Sequence, residues 1–150
     1  NMTQNKATLD DAKAIHKLFR LYKDIFPPLR FDYVQRKIRK GNCIYDNDVV
    51  ITYTIYKRKN KIGTISGGHL TAKKGDVWIH QVANRTPSNG MSTKVMMDFL
   101  NDTVKDRRVY LSVSKTNSRA IRFYEKIGFV IYGVKIVMGK ESWVMGYKNV

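Results

Sequence analysis

A short loop at residues 86–93, with the sequence TPSNGMST, lies between two segments that have different secondary-structure patterns. The preceding run 76-DVWIHQVAN-84 has the composition of a strand, and the following run 91-MSTKVMMDFLNDTV-104 has that of a helix. The first backbone N–H groups of a helix lack internal partners and carry a partial positive charge, so such a junction can bind phosphate.

The residue types of this loop suit a close approach of an anion to the backbone. Ser88, Asn89 and Gly90 are small or turn-forming, and Lys94 adds a cation one turn into the helix. Ser and Asn are also the ordinary caps of helices that bind nothing. The loop by itself therefore leaves both interpretations open.

A second informative segment is 110-YLSVSKTNSRAIRFYEKIGFVIYG-133, whose pattern is strand, turn, short helix, glycine and strand. Asn117 is placed to cap the helix, and Gly128 is placed to end it. Between them, one helical face is formed by Ala120, Phe123, Tyr124 and Ile127.

The run 117-NSRAIRFYEKIGF-129 is similar to the segment by which GNAT-superfamily N-acetyltransferases are recognised. The residues in matching places are Asn117, Ala120, Tyr124, Gly128 and Phe129. The order of the predicted elements also resembles that family over nearly the whole chain. The resemblance implies an N-acyltransferase that uses acetyl-CoA and transfers the acetyl group directly to a primary amine, without a metal ion or a covalent intermediate.

The resemblance also implies a role for the loop at 86–93. In the family, a loop of pattern Gln/Arg-x-x-Gly-x-Gly/Ala holds the pyrophosphate of acetyl-CoA through its amides. The aligned residues here are Pro87, Ser88, Asn89, Gly90, Met91 and Ser92, of which only Gly90 matches outright. Pro87 has no N–H, and Ser92 places a side chain where glycine or alanine is usual. We therefore predict a degenerate phosphate loop that binds through backbone N–H groups of residues 88–92 with reduced affinity.

Transfer of an acetyl group to an amine needs a neutral nitrogen, an N–H donor for the oxyanion and a proton for the leaving thiolate. In similar acyltransferases, the tyrosine at the position of Tyr124 lies beside the CoA sulfur. A phenol with a pKa of about 10 is roughly matched to a thiol near 8.5, so the resemblance predicts Tyr124 as the proton donor. From the residues alone, a half-buried aromatic on the helix core face is the preferred interpretation.

The general base is expected on the strand before the loop, where some family members carry a catalytic glutamate. Asp76 is a shorter carboxylate at this place, and a plain turn residue after Gly75 is at least as good an interpretation. His80 has the same strand parity, and its ordinary pKa of about 6.5 suits deprotonation of an ammonium. A packed strand histidine is the alternative.

Further contacts to the cosubstrate follow from the resemblance. The backbone of Gln81, Val82 and Ala83 would pair with the pantetheine arm like an added strand, and one of these N–H groups would face the oxyanion. Asn117 would contact pantetheine or cap its helix, and Arg119 is included with it among the cofactor-binding residues.

The elements that position these residues can be followed along the chain. Helices are predicted at about 9–25, 32–41, 90–104 and 117–127, and strands at 49–57, in short pieces of 60–75, at 76–83, 108–114, 129–138 and 142–148. We therefore expect an α/β (α+β) GNAT-like fold, with a central mixed, mostly antiparallel sheet of six to seven strands flanked by about four helices.

Composition indicates a single domain over residues 1–150, because 43% of the residues are hydrophobic and no linker-like segment divides the chain. Asn1 precedes Met2, which we expect to be the initiator, so Asn1 is expected to be foreign to the native chain. No apolar membrane-spanning run or secretory leader is found, and the predicted location is cytoplasmic. The one cysteine, Cys43, has no metal-site spacing with the histidines and is expected to be a buried structural thiol.

The charge is strongly basic, with 28 Lys and Arg against 12 Asp and Glu and a formal net charge of +16. This field favours anionic ligands and disfavours cationic acceptors such as polyamines. The basic residues are clustered at 36–40, 57–61, 72–75 and 105–108, which is compatible with a solvated surface or with nucleic-acid contact. The alternative function is therefore a basic GNAT-like protein that modifies or binds nucleic acid. A homodimer through the closing strands at 129–148 is compatible with either function.

Overall fold

The computed structural model describes residues 4–149. Within them, four α-helices and eight strands follow one another in an order close to the predicted one, and a 3₁₀ turn at Leu9–Asp11 precedes the first α-helix. The helices are α1 (Ala12–Leu21), α2 (Phe31–Arg39), α3 (Met91–Asp98) and α4 (Ser118–Ile127). The strands are β1 (Cys43–Asp46), β2 (Val49–Ile55), β3 (Asn60–Ile65), β4 (Gly68–Ala72), β5 (Val77–Asn84), β6 (Val109–Ser114), β7 (Val130–Val137) and β8 (Lys140–Tyr147).

The strands form one eight-stranded sheet in the order β1-β2-β5-β6-β8-β7-β3-β4. β5 and β6 are parallel, whereas β1 with β2, β3 with β4, β3 with β7, β6 with β8 and β7 with β8 are antiparallel. The predicted fold class is confirmed. The sheet has one strand more than the upper expectation because β1, only four residues long, was not recognised as a strand.

Among the described residues, one compact unit consists of residues 4–54 together with Ile79–Thr103. Its core is built from the apolar stripes of α1 and α2 against β1, β2 and β5. In α1 the buried positions recur every three or four residues, as an amphipathic helix requires. The buried cluster contains Ala7, Ala12, Ile15, Leu18, Phe19, Val34, Ile38, Cys43, Val50 and Ala83.

The other compact unit consists of Ile55–Trp78 and residues 104–149. Its buried cluster contains Ile62, Ala72, Trp78, Tyr110 and Val144. Here β3 and β7 approach closely, and a Cβ on Gly133 would lie 2.5 Å from the carbonyl oxygen of Thr64. This division into two units does not test the prediction of a single domain over residues 1–150, which stays a prediction.

Two predicted helices differ from the expectation in their C-terminal parts. α1 ends at Leu21, and the next residues form a turn in which the N–H groups of Ile25 and Phe26 both reach the carbonyl oxygen of Tyr22. The helix expected over 90–104 is α-helical to Asp98 and continues as a π-helical turn, Phe99–Thr103. Between residues 4 and 149, no helix is both long and apolar enough to span a membrane.

Candidate active site

The loop between β5 and α3 turns through two residues with left-handed backbone. Ser88 has a φ of 69°, and Gly90, the N-cap residue of α3, has a φ of 80°. Glycine adopts this conformation without the steric penalty that a Cβ brings. All residues from Arg85 to Gly90 are exposed. The predicted phosphate loop is therefore a surface loop that ends at the first turn of a helix.

The loop is held by Asn84, the last residue of β5, which is buried. Its Nδ2 donates to Oδ1 of Asn89 at 3.1 Å and to Oγ of Ser92 at 2.9 Å. Its Oδ1 accepts the N–H of Thr86 at 2.9 Å. Oδ1 of Asn89 in turn accepts the N–H of Met91 at 3.0 Å. One side chain thus ties both ends of the loop to the strand.

These contacts refine the prediction for the phosphate loop. The N–H of Met91, one of the predicted phosphate donors, bonds to Asn89, so a phosphate bound there would displace that side chain. The hydroxyl of Ser92 is bonded to Asn84. Lys94, expected to add a charge, forms an ion pair with Asp98 at 2.8 Å, and that hydrogen bond raises the pKa of Lys94.

Asn84 is not among the site residues that the sequence patterns predict. The available indication was an asparagine at the end of a strand, where its side chain can bond nearby backbone groups in a turn. Its bonds to Asn89 and Ser92 join positions five and eight residues away. No helical or strand period predicts such contacts.

The second half of β5 is held by side chains from α2, from β2 and from Tyr22, the residue that follows α1. The hydroxyl of Tyr33 donates to Oε1 of Gln81 at 2.9 Å, and the hydroxyl of Thr52 donates to the same oxygen. The N–H of Gln81 donates to Oγ1 of Thr52 at 3.1 Å. Tyr22 donates to the carbonyl oxygen of Asn84 at 2.6 Å.

These hydrogen bonds limit which N–H groups of β5 can bind the pantetheine arm. Because the Gln81 N–H bonds to Thr52 of β2, it is not available to a ligand. Successive N–H groups of a regular strand point to opposite edges, so we expect the Val82 N–H to point away from β2 and that of Ala83 to point back toward it. Ala83 is buried and Val82 is half-buried. Of the three residues, Val82 is therefore the one whose N–H we expect to be available to the pantetheine arm.

The two candidate bases lie in different surroundings. His80 is exposed, and its Nε2 lies 2.7 Å from Oγ1 of Thr54, so it is not a packed strand histidine. Asp76 is buried, and its Oδ2 accepts the N–H of Lys73 at 2.7 Å. The backbone of Asp76 accepts the N–H of Tyr56 at 2.9 Å. Asp76 thus closes the turn between β4 and β5, which agrees with the turn interpretation.

Asn117 and Arg119 lie at the start of α4. Oδ1 of Asn117 accepts the N–H of Ala120 at 3.2 Å, so Asn117 is the helix cap that one of the two interpretations predicted. Arg119 is exposed on the first turn of the helix.

Tyr124 lies in an aromatic row on α4 and the strands beside it. Its ring contacts Phe129 edge-on at 5.6 Å between centroids, and Phe129 contacts Tyr147 at 5.5 Å. Desolvation by burial raises the pKa of Tyr124 to about 12. The phenol is therefore protonated throughout the neutral range and can act as a hydrogen-bond donor.

The described residues 4–149 contain no group of three or more His, Cys, Asp or Glu side chains arranged to hold a metal ion. Cys43 is buried, and desolvation raises the pKa of its thiol to about 12.

Comparison with known proteins identifies the family. Residues 15–129 match the model of the acetyltransferase (GNAT) family. The chain therefore belongs to the GNAT acetyltransferase family, which confirms the resemblance seen in residues 117–129. No curated protein sequence matches the chain.

Several solved structures share the fold. Ard1 from Thermoplasma volcanium is 16% identical with a TM-score of 0.74, covering 97% of this chain and 96% of that one. Arabidopsis thaliana Naa50, bound to the bisubstrate analogue CoA-Ac-MVNAL, is 19% identical with a TM-score of 0.66 and 95% coverage of both chains. Arabidopsis thaliana NAA60, bound to acetyl-CoA, is 16% identical with a TM-score of 0.64, covering 93% of this chain and 94% of that one.

Proposed function

We propose that this protein is an N-acetyltransferase that transfers the acetyl group of acetyl-CoA to a primary amine by direct attack. The observation that carries the proposal is the match of residues 15–129 to the GNAT acetyltransferase family. The surface loop before α3 supports it, because a strand, a Gly90 turn and a helix N-terminus together form the kind of junction that binds phosphate.

We assign the acceptor to the α-amino groups of peptides. This assignment is supported by shared fold with Naa50, whose bound analogue joins CoA to the peptide MVNAL. An α-amino group has an ordinary pKa of about 8, so a useful fraction is neutral near neutral pH. Because the net charge is +16, acidic residues after the first position of the peptide should favour binding.

The residues that bind acetyl-CoA and take part in the transfer have the following roles in this proposal. Backbone N–H groups of residues 88–92 bind the pyrophosphate, and the Val82 N–H serves the pantetheine arm or the oxyanion. Tyr124 donates a hydrogen bond to the leaving sulfur. His80 takes the proton of the amine, since its ring is exposed whereas the carboxylate of Asp76 is buried and bonded in a turn.

The test is to incubate the protein with acetyl-CoA and a library of peptides that vary at their first four positions, and to identify acetylated products by mass spectrometry. We expect acetylation at the α-amino group, with acidic sequences enriched. His80→Ala should lose most of the activity, whereas His69→Ala, which removes another exposed histidine, should not. Free CoA released without any acetylated amine would refute the proposal.

A second candidate function is contact with nucleic acid through one basic patch. The segment between β2 and β3 presents exposed Lys57, Arg58 and Lys59, and the turn after β4 presents exposed Lys73 and Lys74. The two segments are joined because the N–H of Gly75 bonds to the carbonyl oxygen of Tyr56 at 2.8 Å. Five cations therefore lie at one end of the β3–β4 hairpin, where they can neutralise phosphates.

This candidate is tested by the salt dependence of DNA and RNA binding. A triple change Lys57→Glu, Lys59→Glu and Lys74→Glu should weaken binding and flatten its dependence on salt. The matched control Lys13→Glu, Lys17→Glu and Arg20→Glu alters the net charge equally on exposed positions of α1. Equal effects of both triple changes would show that only net charge matters and would exclude a specific patch.

A further inference from the structure

A chain of hydrogen bonds leads from a half-buried lysine on α2 to the exposed ring of His80. Nζ of Lys37 donates to the carbonyl oxygen of Tyr53 at 2.7 Å and to Oγ1 of Thr54 at 2.9 Å. Oγ1 of Thr54 lies 2.7 Å from Nε2 of His80. Three ionisable or proton-carrying groups are thus in continuous contact, with the hydroxyl of Thr54 between the two bases.

The surroundings of Lys37 disfavour its charged form. Desolvation by burial, together with the neighbouring cations Lys40 and Arg36, lowers the pKa of Lys37 to about 8. Cys43 faces it from β1 and acts in the opposite direction, but its own thiol is held neutral by burial. Lys37 can therefore exist as a neutral amine near neutral pH, which an exposed lysine cannot.

We propose that Lys37, Thr54 and His80 form a proton relay, in which Lys37 is the final acceptor of the proton that the amine substrate loses before it attacks. The proposal rests on the acetyltransferase function proposed above and deepens it. His80 is the group that meets the substrate, and Lys37 and Thr54 act through it.

The relay moves one positive charge from the substrate ammonium to Lys37. The substrate ammonium gives its proton to Nδ1 of His80, Nε2–H of His80 gives its proton to Oγ1 of Thr54, and the hydroxyl of Thr54 gives its proton to neutral Nζ of Lys37. His80 ends neutral with its proton on Nδ1, Thr54 ends as a hydroxyl, and Lys37 ends as an ammonium. The amine is left neutral with its lone pair free to attack.

The geometry suits both end states of this transfer. A neutral Nζ can keep one N–H on the carbonyl oxygen of Tyr53 and accept the hydroxyl proton of Thr54 with its lone pair. The ammonium form donates to both oxygens, as the 2.7 and 2.9 Å contacts permit. An α-amino group ionises at about pH 8, so donor and final acceptor are matched and the transfer needs little free energy.

The first experiment measures kcat/KM for a peptide that the wild-type protein acetylates. Thr54→Val keeps the shape of the side chain but removes the hydroxyl, and should lower kcat/KM on the order of 10²-fold. Thr54→Ser restores the hydroxyl and should recover most of the rate. Lys37→Arg keeps the charge but cannot accept a proton, and should be impaired like Thr54→Val. Arg39→Met, an exposed cation on the same helix, is the control.

The second experiment needs no substrate. It also does not use the Lys37→Arg variant, so its outcome does not depend on how an arginine side chain packs at this position. NMR titration of the free protein should show the Lys37 side chain titrating near its lowered pKa, and the His80 ring nitrogens should report the same inflection. That inflection should vanish in Lys37→Met. A Lys37 that titrates with the surface lysines would overturn the relay.

The outcomes separate the two proposals. If the wild-type protein acetylates peptides and Thr54→Val is unimpaired, the relay is wrong and the proposed function stands. If the wild-type protein acetylates no amine, the proposed function is wrong and the relay's catalytic role is lost with it.

Discussion

Burial changes the chemistry that residue type suggests for Tyr124. Because its pKa is raised to about 12, the phenol of Tyr124 holds its proton more firmly than an ordinary phenol, whose pKa is about 10. A thiolate whose conjugate acid has a pKa of about 8.5 cannot readily remove that proton. We therefore expect Tyr124 to stabilise the leaving sulfur as a hydrogen-bond donor rather than to transfer its proton completely.

Removing this donor should affect turnover more than binding. In Tyr124→Phe the ring contacts remain while the O–H is lost, so kcat should fall on the order of 10²-fold with little change in KM for acetyl-CoA. Steady-state kinetics measures both parameters. Tyr132→Phe, which alters an exposed tyrosine of β7, should leave both unchanged. A full rate in Tyr124→Phe would remove Tyr124 from the reaction.

Lys37 also makes a testable contribution to the pH dependence of stability. Its pKa falls from 10.5 to about 8 in the folded protein. Between these values the unfolded chain binds more protons, so the Lys37 contribution to the free energy of unfolding rises with pH and its penalty is fully present below about pH 8. Any stabilisation of Lys37→Met relative to wild type should therefore shrink as pH rises through this window.

Urea unfolding of the two proteins across the window measures this difference. Arg39→Met should show a difference from wild type that does not change with pH, because an arginine stays charged in both states. A Lys37→Met difference that is equally constant would show that Lys37 is not perturbed in the folded protein.

At the scale of elements, the junction of β5 and α3 depends on one buried side chain. Asn84 bonds to Asn89, Ser92 and the N–H of Thr86, and so holds the loop before α3 begins. The rigidity of this loop should determine how well its N–H groups are arranged for a pyrophosphate.

Asn84→Ala should therefore weaken acetyl-CoA binding by about tenfold, the cost of roughly one lost hydrogen bond of about 1–1.5 kcal/mol. Calorimetric titration measures the change, and Asn101→Ala, which removes an exposed amide after α3, is the control. Unchanged affinity in Asn84→Ala would mean that the loop does not need this support.

The contact between β3 and β7 requires a residue without a side chain. A Cβ on Gly133 would meet the Thr64 carbonyl oxygen at 2.5 Å, so Gly133→Ala should lower the free energy of unfolding by about 1–3 kcal/mol. Gly68→Ala is a matched control because no described atom lies within 4 Å of the position its Cβ would take. Equal stability of the two variants would contradict the close contact.

The elements were predictable where a periodic pattern is long. The stripe of α1 and the alternation of β2 were seen in the sequence, and Asn117 and Gly128 bound α4 as expected. β1 was missed because four residues contain too few repeats to show a period. The end of α1 at Leu21 was missed because the turn that follows retains apolar residues at helical spacing.

The site was predictable only in part. Residue types and the family resemblance selected Tyr124, His80 and the loop, but not Asn84, Thr54 or Lys37. The contacts of Lys37 with Thr54 and of Thr54 with His80 join residues separated by 17 and 26 positions. Such pairs arise from strand and helix packing, which a single sequence does not display.

For the whole molecule, the net charge of +16 complements the chemistry proposed for the site. Acetyl-CoA carries several phosphate charges, so the protein's field should speed its association and make its binding sensitive to salt. The same field would favour acidic peptides over cationic amines. Charge therefore supports the choice of substrates, whereas family membership supports the reaction.

The central claim is that this protein binds acetyl-CoA as a GNAT acetyltransferase. The most direct test is isothermal titration calorimetry of the purified protein with acetyl-CoA at low salt. The proposal predicts saturable heat for one site, weakened by Asn84→Ala and by added salt. A folded protein that gives no heat with acetyl-CoA at concentrations of up to about 1 mM would have a Kd above roughly 1 mM. That result would contradict the claim.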